Sequence, residues 1–149
     1  MVLDKVITLS EQILPGVRAI QDPFSQELIK LWDDRKLEGK IFYALNERWE
    51  PIGYLLLDTV VRDRWTIRGF FVREDYRGQG YGKKLLQVAT YFCKSFDKDT
   101  FVNITEGAEK IYLDEGYEIL GRREDFPDQF RAVKKAIKTS VLIPEEKRL

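Results

Sequence analysis

Phe70-Phe71-Val72-Arg73-Glu74-Asp75-Tyr76-Arg77-Gly78-Gln79-Gly80-Tyr81-Gly82-Lys83-Lys84-Leu85-Leu86 is the stretch on which the fold turns. An apolar strand pattern gives way to a turn with glycines at three alternate positions, and an amphipathic helix starts directly after it. Glycine permits a positive φ and a close approach of backbone to a ligand. The first turn of the helix presents N–H groups without intrahelical acceptors and a partial positive charge. Together these features make an anion site suited to a phosphate or pyrophosphate.

Working outward, Lys5 to Leu9 reads as a short strand. Asp22-Pro23 reads as the start of a helix, with Asp as the cap and Pro at the first helical position. Phe24, Leu28, Leu31 and Trp32 share one face of that helix. Strands follow at Lys40 to Leu45, Ile52 to Val61 and Trp65 to Val72, with turns at Asn46-Glu47-Arg48 and Arg62-Asp63-Arg64. Gly80 to Phe96 is the clearest helix, with Leu85, Val88, Ala89, Phe92 and Phe96 at helical spacing. Phe101 to Ile104 is a strand. Thr105 is expected to cap the next helix, with Glu106 in its first turn and Gly116 ending it. Tyr117 to Gly121 is a further strand. Phe130 to Ile137 and Thr139 to Ile143 compete as the last one, and Pro144 to Leu149 reads as a solvated tail. The order is strand, helix pair, three-strand meander, helix, strand, helix, strand: a mixed α/β arrangement, with its parallel part where strand 65–72 crosses through helix 80–96 to strand 101–104.

The chain of 149 residues fits one domain, 1–149, and a chain this long buries about 70% of its unfolded surface. Lys plus Arg equals Asp plus Glu, which argues against a general nucleic-acid binder. Arg62, Arg64 and Arg68 offer a local basic rim, but alternation with Asp63 and the neutral total argue for a solvated turn. The lone Cys93 suits a reducing compartment and sits mid-helix as a small core residue. No bilayer-length apolar run or signal-peptide pattern is present, so a cytoplasmic location is expected, with no membrane partner. There is no His, which removes the commonest general base and the commonest zinc ligand, and no metal is expected.

Three loop chemistries compete for the glycine cluster. A P-loop is excluded because Gly82-Lys83 is followed by Lys84 instead of a hydroxyl residue, and Arg77 stands where its first glycine belongs. A dinucleotide fingerprint is excluded by the spacing of Gly78, Gly80 and Gly82 and by the place of the loop after the fourth predicted strand. The pattern Arg/Gln-x-x-Gly-x-Gly/Ala fits Arg77-Gly78-Gln79-Gly80-Tyr81-Gly82 at every defined position. With this loop, the preceding Phe71-Val72-Arg73-Glu74-Asp75-Tyr76, and the downstream Ala108-x-x-x-Tyr112-x-x-x-Gly116-Tyr117, the chain resembles the GNAT acetyltransferase superfamily along almost its whole length.

The resemblance implies a central mixed sheet of six to seven strands flanked by about four helices. It implies an acetyl-CoA-dependent N-acetyltransferase in which a primary amine attacks the thioester directly, without an acyl-enzyme. Carried over residue by residue, Phe71, Val72, Arg73, Arg77, Gly78, Gln79, Gly80, Tyr81, Gly82, Lys83 and Thr105 are the expected cofactor contacts. Backbone N–H groups of Phe71 to Arg73 would polarise the carbonyl, and Tyr112 matches the proton donor to the leaving thiolate. Two positions depart from the pattern. Thr66 stands near the place of a strand carboxylate that serves as base in many relatives, and Thr105 stands where Asn is frequent. Asp58, Asp63, Glu74 and Glu106 remain as candidate bases, directly or through water. The acceptor, a small-molecule or peptide amine, is expected where the first helices and the 45–52 turn meet the splayed strands; Trp32, Tyr43, Trp49 and Trp65 are available to line that place, although aromatics in such numbers are more often core than pocket, and a homodimer is compatible with the pattern. Two other readings stand beside this one: a non-catalytic acyl-CoA-binding or regulatory module, and a toxin-like enzyme acting on aminoacyl-tRNA, which would call for a basic face.

Overall fold

A computed structural model describes residues 5–14 and 23–136. The order is β1 (Val6–Ser10), α1 (Pro23–Asp33), β2 (Gly39–Leu45), β3 (Pro51–Asp58), β4 (Trp65–Val72), a 3-10 turn (Glu74–Tyr76), α2 (Tyr81–Ser95), β5 (Thr100–Thr105), α3 (Glu109–Asp114), β6 (Glu118–Arg122) and β7 (Gln129–Lys134). The strands form one seven-stranded sheet in the order β1-β2-β3-β4-β5-β7-β6. The β4–β5 pair is parallel and the others are antiparallel. The mixed sheet and its single parallel crossover through α2 follow the expectation.

Strand alternation divides the core into two clusters. Phe42, Ala44, Leu55, Leu57 and Ile67 turn to one face, where Leu85, Leu86, Ala89 and Cys93 of α2 pack on them. Ile41, Tyr43, Tyr54 and Leu56 turn to the other, against Ile13 and Ile29 of the chain preceding and within α1. Full burial of a side chain such as Leu85 or Leu55 stabilises by about 1.5–3 kcal/mol each. The buried stripe of α2 is therefore Leu85, Leu86, Ala89 and Cys93, while Phe96, expected on it, is mostly exposed.

Two features shape the site. First, β4 and β5 pair only over Trp65–Ile67 and Thr100–Val102. Beyond Ile67 the strands part, and the sheet opens between two strands of one continuous ladder. Second, β4 is bulged: Leu56 pairs with Gly69 and Leu57 with Ile67, leaving Arg68 without an opposite residue. Bulges twist a strand away from its neighbour. Gly69 is required here by space, because a Cβ would lie 2.7 Å from Leu28 Cδ1 and 3.1 Å from Tyr54 Cε2.

Several expectations are corrected. The Thr105 side chain does not cap the following helix. The chain makes a turn in which Ala108 N–H donates to the Thr105 carbonyl at 3.0 Å or less (2.9 Å), and α3 begins at Glu109 with Ala108 before it. Gly107, at φ +96°, allows that extra turn. Strand β3 ends at Asp58, well short of Val61, because Asp58 Oδ1 accepts the Val60 N–H and turns the chain. The described residues contain three α-helices and the 3-10 turn. The Asp22 cap, the Phe24 side chain, the first member of the helix pair, the alternative strand at Thr139 to Ile143 and the Pro144 to Leu149 tail lie outside the described residues. Of the two candidates for the last strand, the first is present as β7.

Candidate active site

The glycine loop forms one mouth of the split. Gly78 and Gly80 have φ of +76° and +90°, and Gly80 is the residue before the first turn of α2. An L side chain at either position would be strained. Around a Cβ at Gly78 there is nothing within 4 Å, and at Gly80 only Lys5 Cε at 3.9 Å, so both positions face open space. The α2 N-terminus has no side-chain cap and no acidic residue in its first turn. The N–H groups of Tyr81, Gly82 and Lys83 precede the first intrahelical bond, Lys84 N–H to Gly80 O at 3.1 Å. These donors open on a cavity of about 590 Å³ lined by Val72, Arg77, Gly78, Gly80, Gly82 and Lys83 from the loop and by Lys110 and Ile111 from α3.

Deeper in the split lies a second cavity of about 390 Å³. Its walls are Ile67 to Phe70 of β4, Val102 to Thr105 of β5, and Ala108, Ile111 and Tyr112. Ile111 lines both cavities, so they adjoin. Tyr112 is 7% exposed, with its ring edge-on to Phe70 and Tyr117. Its hydroxyl has no hydrogen bond to another described residue. Among the described residues no fully buried side-chain polar atom lacks a partner, so this hydroxyl reaches the open space of the cavity. Burial pushes its phenol up to about 12. Tyr117, by contrast, is tied to Thr90 Oγ1 at 2.6 Å and lies in the core.

The backbone of β4 also serves this gap. Arg73 N–H donates back to Ile52 O of β3 at 2.8 Å. Strand alternation then turns the Val72 N–H to the opposite side, towards the gap where β5 is no longer paired. Arg77 Nε donates to the Val72 carbonyl at 2.7 Å, with its guanidinium 5.4 Å from the Phe71 ring centroid. Of the expected backbone donors from Phe71 to Arg73, Val72 is the one aimed into the split.

Not every expected contact gathers here. The Arg73 guanidinium pairs with Asp75 at 2.7 Å and lies over the ring of Tyr76, and Arg73 itself is not among the residues lining the cavity. Gln79 Nε2 donates back to Asp75 O, Tyr81 packs edge-on to Tyr76, and Phe71 packs beside Tyr54. Thr105 lines the deeper cavity at its edge. Thr66 is buried, with its hydroxyl donating to Arg64 O at 3.2 Å. Asp58 is held by Arg68 at 3.1 Å, and Glu106 by Arg122 at 2.9 Å. No described carboxylate lines the cavity inside the split. The tryptophans lie elsewhere: Trp65 stacks on Phe92, Trp49 is 70% exposed, and Trp32 borders a separate groove with Glu38 and Lys40. Tyr43 is fully buried, its hydroxyl donating to Gln12 O at 2.7 Å. Cys93 is buried, and burial pushes its thiol up to about 11. Asn103 and Lys110, absent from the expected set, do line the cavities. Alternation from Thr105 back along β5 was the available signal for Asn103. Among the described residues no group of three or more His, Cys, Asp or Glu is placed to hold a metal, and no helix is long and apolar enough to cross a membrane.

A mixed sheet split beyond its parallel pair, with a glycine-loop helix N-terminus at the mouth, defines a class of fold. The GNAT family N-acetyltransferase YhbS from Escherichia coli, in its complex with CoA, shares it with a TM-score of 0.70 at 18% identity, over 92% of this chain and 84% of that one. A Bacillus subtilis acetyltransferase in complex with CoA does so with a TM-score of 0.72 at 18% identity, over 90% of this chain and 100% of that one. In sequence, the chain is 28% identical over 105 residues to the peptidyl-lysine N-acetyltransferase YjaB of Salmonella typhimurium, covering 70% of this chain and 68% of that protein. The acetyltransferase (GNAT) family pattern matches residues 6–117. The chain belongs to the GNAT acetyltransferase family.

Proposed function

We propose that this protein is an acetyl-CoA-dependent N-acetyltransferase that transfers the acetyl group to a primary amine by direct attack in a ternary complex. The observation that carries this reading is the continuous path from the glycine loop into the split, with the Tyr112 hydroxyl free inside it. The residues suit the co-substrate. The uncapped N–H groups of Tyr81, Gly82 and Lys83 match a pyrophosphate. The unpaired edges of β4 and β5 beyond Ile67 and Val102 offer strand hydrogen bonds to an extended amide chain.

Acetyl-CoA supplies an activated thioester. The Val72 N–H, turned towards the gap, would donate to the carbonyl oxygen as it gains negative charge while the amine nitrogen forms its bond to carbon. As the carbon–sulfur bond breaks, Tyr112 donates its proton to the thiolate. A phenol held near 12 stays protonated throughout the neutral range, although it is a weaker acid for being buried. The nitrogen's own proton passes to water, since no described carboxylate lines the gap cavity, and water returns a proton to the Tyr112 phenolate. Cys93, buried and with a raised pKa, takes no part.

The test follows thiol release from acetyl-CoA across a panel of amines. Turnover by the wild type, and a fall of about 10²-fold in kcat for Tyr112→Phe with thermal stabilisation by CoA retained, is the expected result. Stabilisation by CoA with no turnover on a broad panel would favour the non-catalytic module instead.

A further inference from the structure

We propose that the acceptor carries an oxyanion, a carboxylate or a phosphate, that is read by Arg64 and Arg131 in a cavity on the far side of the split. The inference deepens the acetyl-transfer reading and rests on it. The cavity has a volume of about 240 Å³ and lies beside the gap, sharing Arg68, Val102 and Asn103 with it. It is thus the entry that leads to the gap from the side away from Tyr112 and the glycine loop. Four guanidiniums line it, those of Arg64, Arg68, Arg123 and Arg131, and no described carboxylate does.

Two of the four already have carboxylate partners. Arg68 is held by Asp58 at 3.1 Å. Arg123 is held by Asp125 at 2.6 and 3.0 Å and by Gln129 at 2.8 Å. Arg64 instead lies over the Phe101 ring, its Cζ 4.8 Å from the centroid, with no carboxylate partner among the described residues. Arg131 has no ion pair or hydrogen bond among the described residues, and Asp125, which feels its charge, is bound to Arg123. A chain with zero formal net charge therefore gathers, at one concave place beside the reacting gap, two arginines whose side chains make no direct ion pair among the described residues.

Guanidinium is a rigid donor fork that matches carboxylate and phosphate geometry, and the Arg64 guanidinium rests 4.8 Å from the Phe101 ring centroid. The same charges repel an acceptor that presents a second ammonium group, so the cavity discriminates in both directions. The Arg64 and Arg131 side chains come from β4's leading turn and from β7. Only the strand order β4-β5-β7 brings them together.

The experiment compares kcat/KM for 5-aminopentanoate, 4-aminobutyl phosphate, 5-aminopentanamide and 1,5-diaminopentane, with CoA-induced thermal stabilisation measured in parallel. The expected result is at least a tenfold preference for one or both anionic amines over the amide, with the diamine poorest. The better anionic amine distinguishes carboxylate from phosphate. Arg64→Gln and Arg131→Gln should each reduce the anion-to-amide ratio at least fivefold while CoA still stabilises the variant. Equal use of all four amines, a preference for the diamine, or no turnover of either anionic amine by a protein that binds CoA would overturn the proposal. Absence of stabilisation by CoA in the wild type would instead sink the acetyl-transfer reading beneath it. If a variant does not fold, the wild-type ranking decides.

Discussion

At Tyr112 one environment serves two ends. The ring is packed against Phe70 and Tyr117, while the hydroxyl is left without a partner among the described residues at the surface of the gap. Burial raises the phenol to about 12, so at every pH below that value it is more fully protonated than an exposed tyrosine. With no described carboxylate lining the gap cavity, the free fraction of the acceptor amine sets the rate. We expect log(kcat/KM) to climb with unit slope towards the amine's own pKa, about 10.4 for an alkylamine or about 8 for an α-amine, with no fall below pH 10. A plateau beginning near pH 7 with an alkylamine would reveal a base that this account omits. Gly80 makes the complementary point at the loop. Its φ of +90° and the open space at its Cβ position make Gly80→Asp both strained and wrongly charged for an anion site. Calorimetry should find CoA affinity reduced at least 100-fold, with a stability cost of about 1–3 kcal/mol in denaturant unfolding. Unchanged affinity would refute the placement of the phosphates.

At the scale of elements, the split depends on β4. The strand pairs with β5 for three residues, bulges at Arg68 and then diverges. Gly69 lets α1 pack directly onto the bulged strand, so Gly69→Val should cost about 1–3 kcal/mol by overpacking against Leu28 and Tyr54. A variant as stable as the wild type in urea would show that the strand yields freely there. Local elements were legible because their signals are local: alternation gave the strands, and the spacing of Leu85, Val88, Ala89 and Phe92 gave α2, although Phe96, counted on the same stripe, is mostly exposed. The glycine loop and Tyr112 were legible for the same reason, each lying inside a short pattern. The Thr105 cap failed because Gly107 admits an additional turn before α3, a choice that a single threonine does not determine. Arg73 does not line the cavity at the loop, where its short-range neighbour Asp75 holds its guanidinium.

Across the whole molecule, what sequence does not reveal is which residues the strand order makes neighbours. Arg64 and Arg131 are distant in the chain, and the insertion of β7 between β5 and β6 brings Arg123 and Arg131 to the cavity beside β4. The balance of charges suggested a solvated turn rather than a basic rim at Arg62, Arg64 and Arg68; all three are exposed, and the strand order in addition brings Arg64 and Arg68 to the lining of a cavity. The tryptophans, prominent in the sequence, are claimed by core or surface because their neighbours Phe92 and Phe96, or solvent, lie closer than the gap. Loop, split and Tyr112 nevertheless converge on a single claim, that the co-substrate runs from the α2 N-terminus through the gap. The most direct test is a crystal structure of the protein with CoA. It should place the pyrophosphate on the N–H groups of Tyr81 to Lys83 and the thiol within about 3.5 Å of the Tyr112 hydroxyl. CoA bound outside the split, or a thiol remote from Tyr112, would contradict the account.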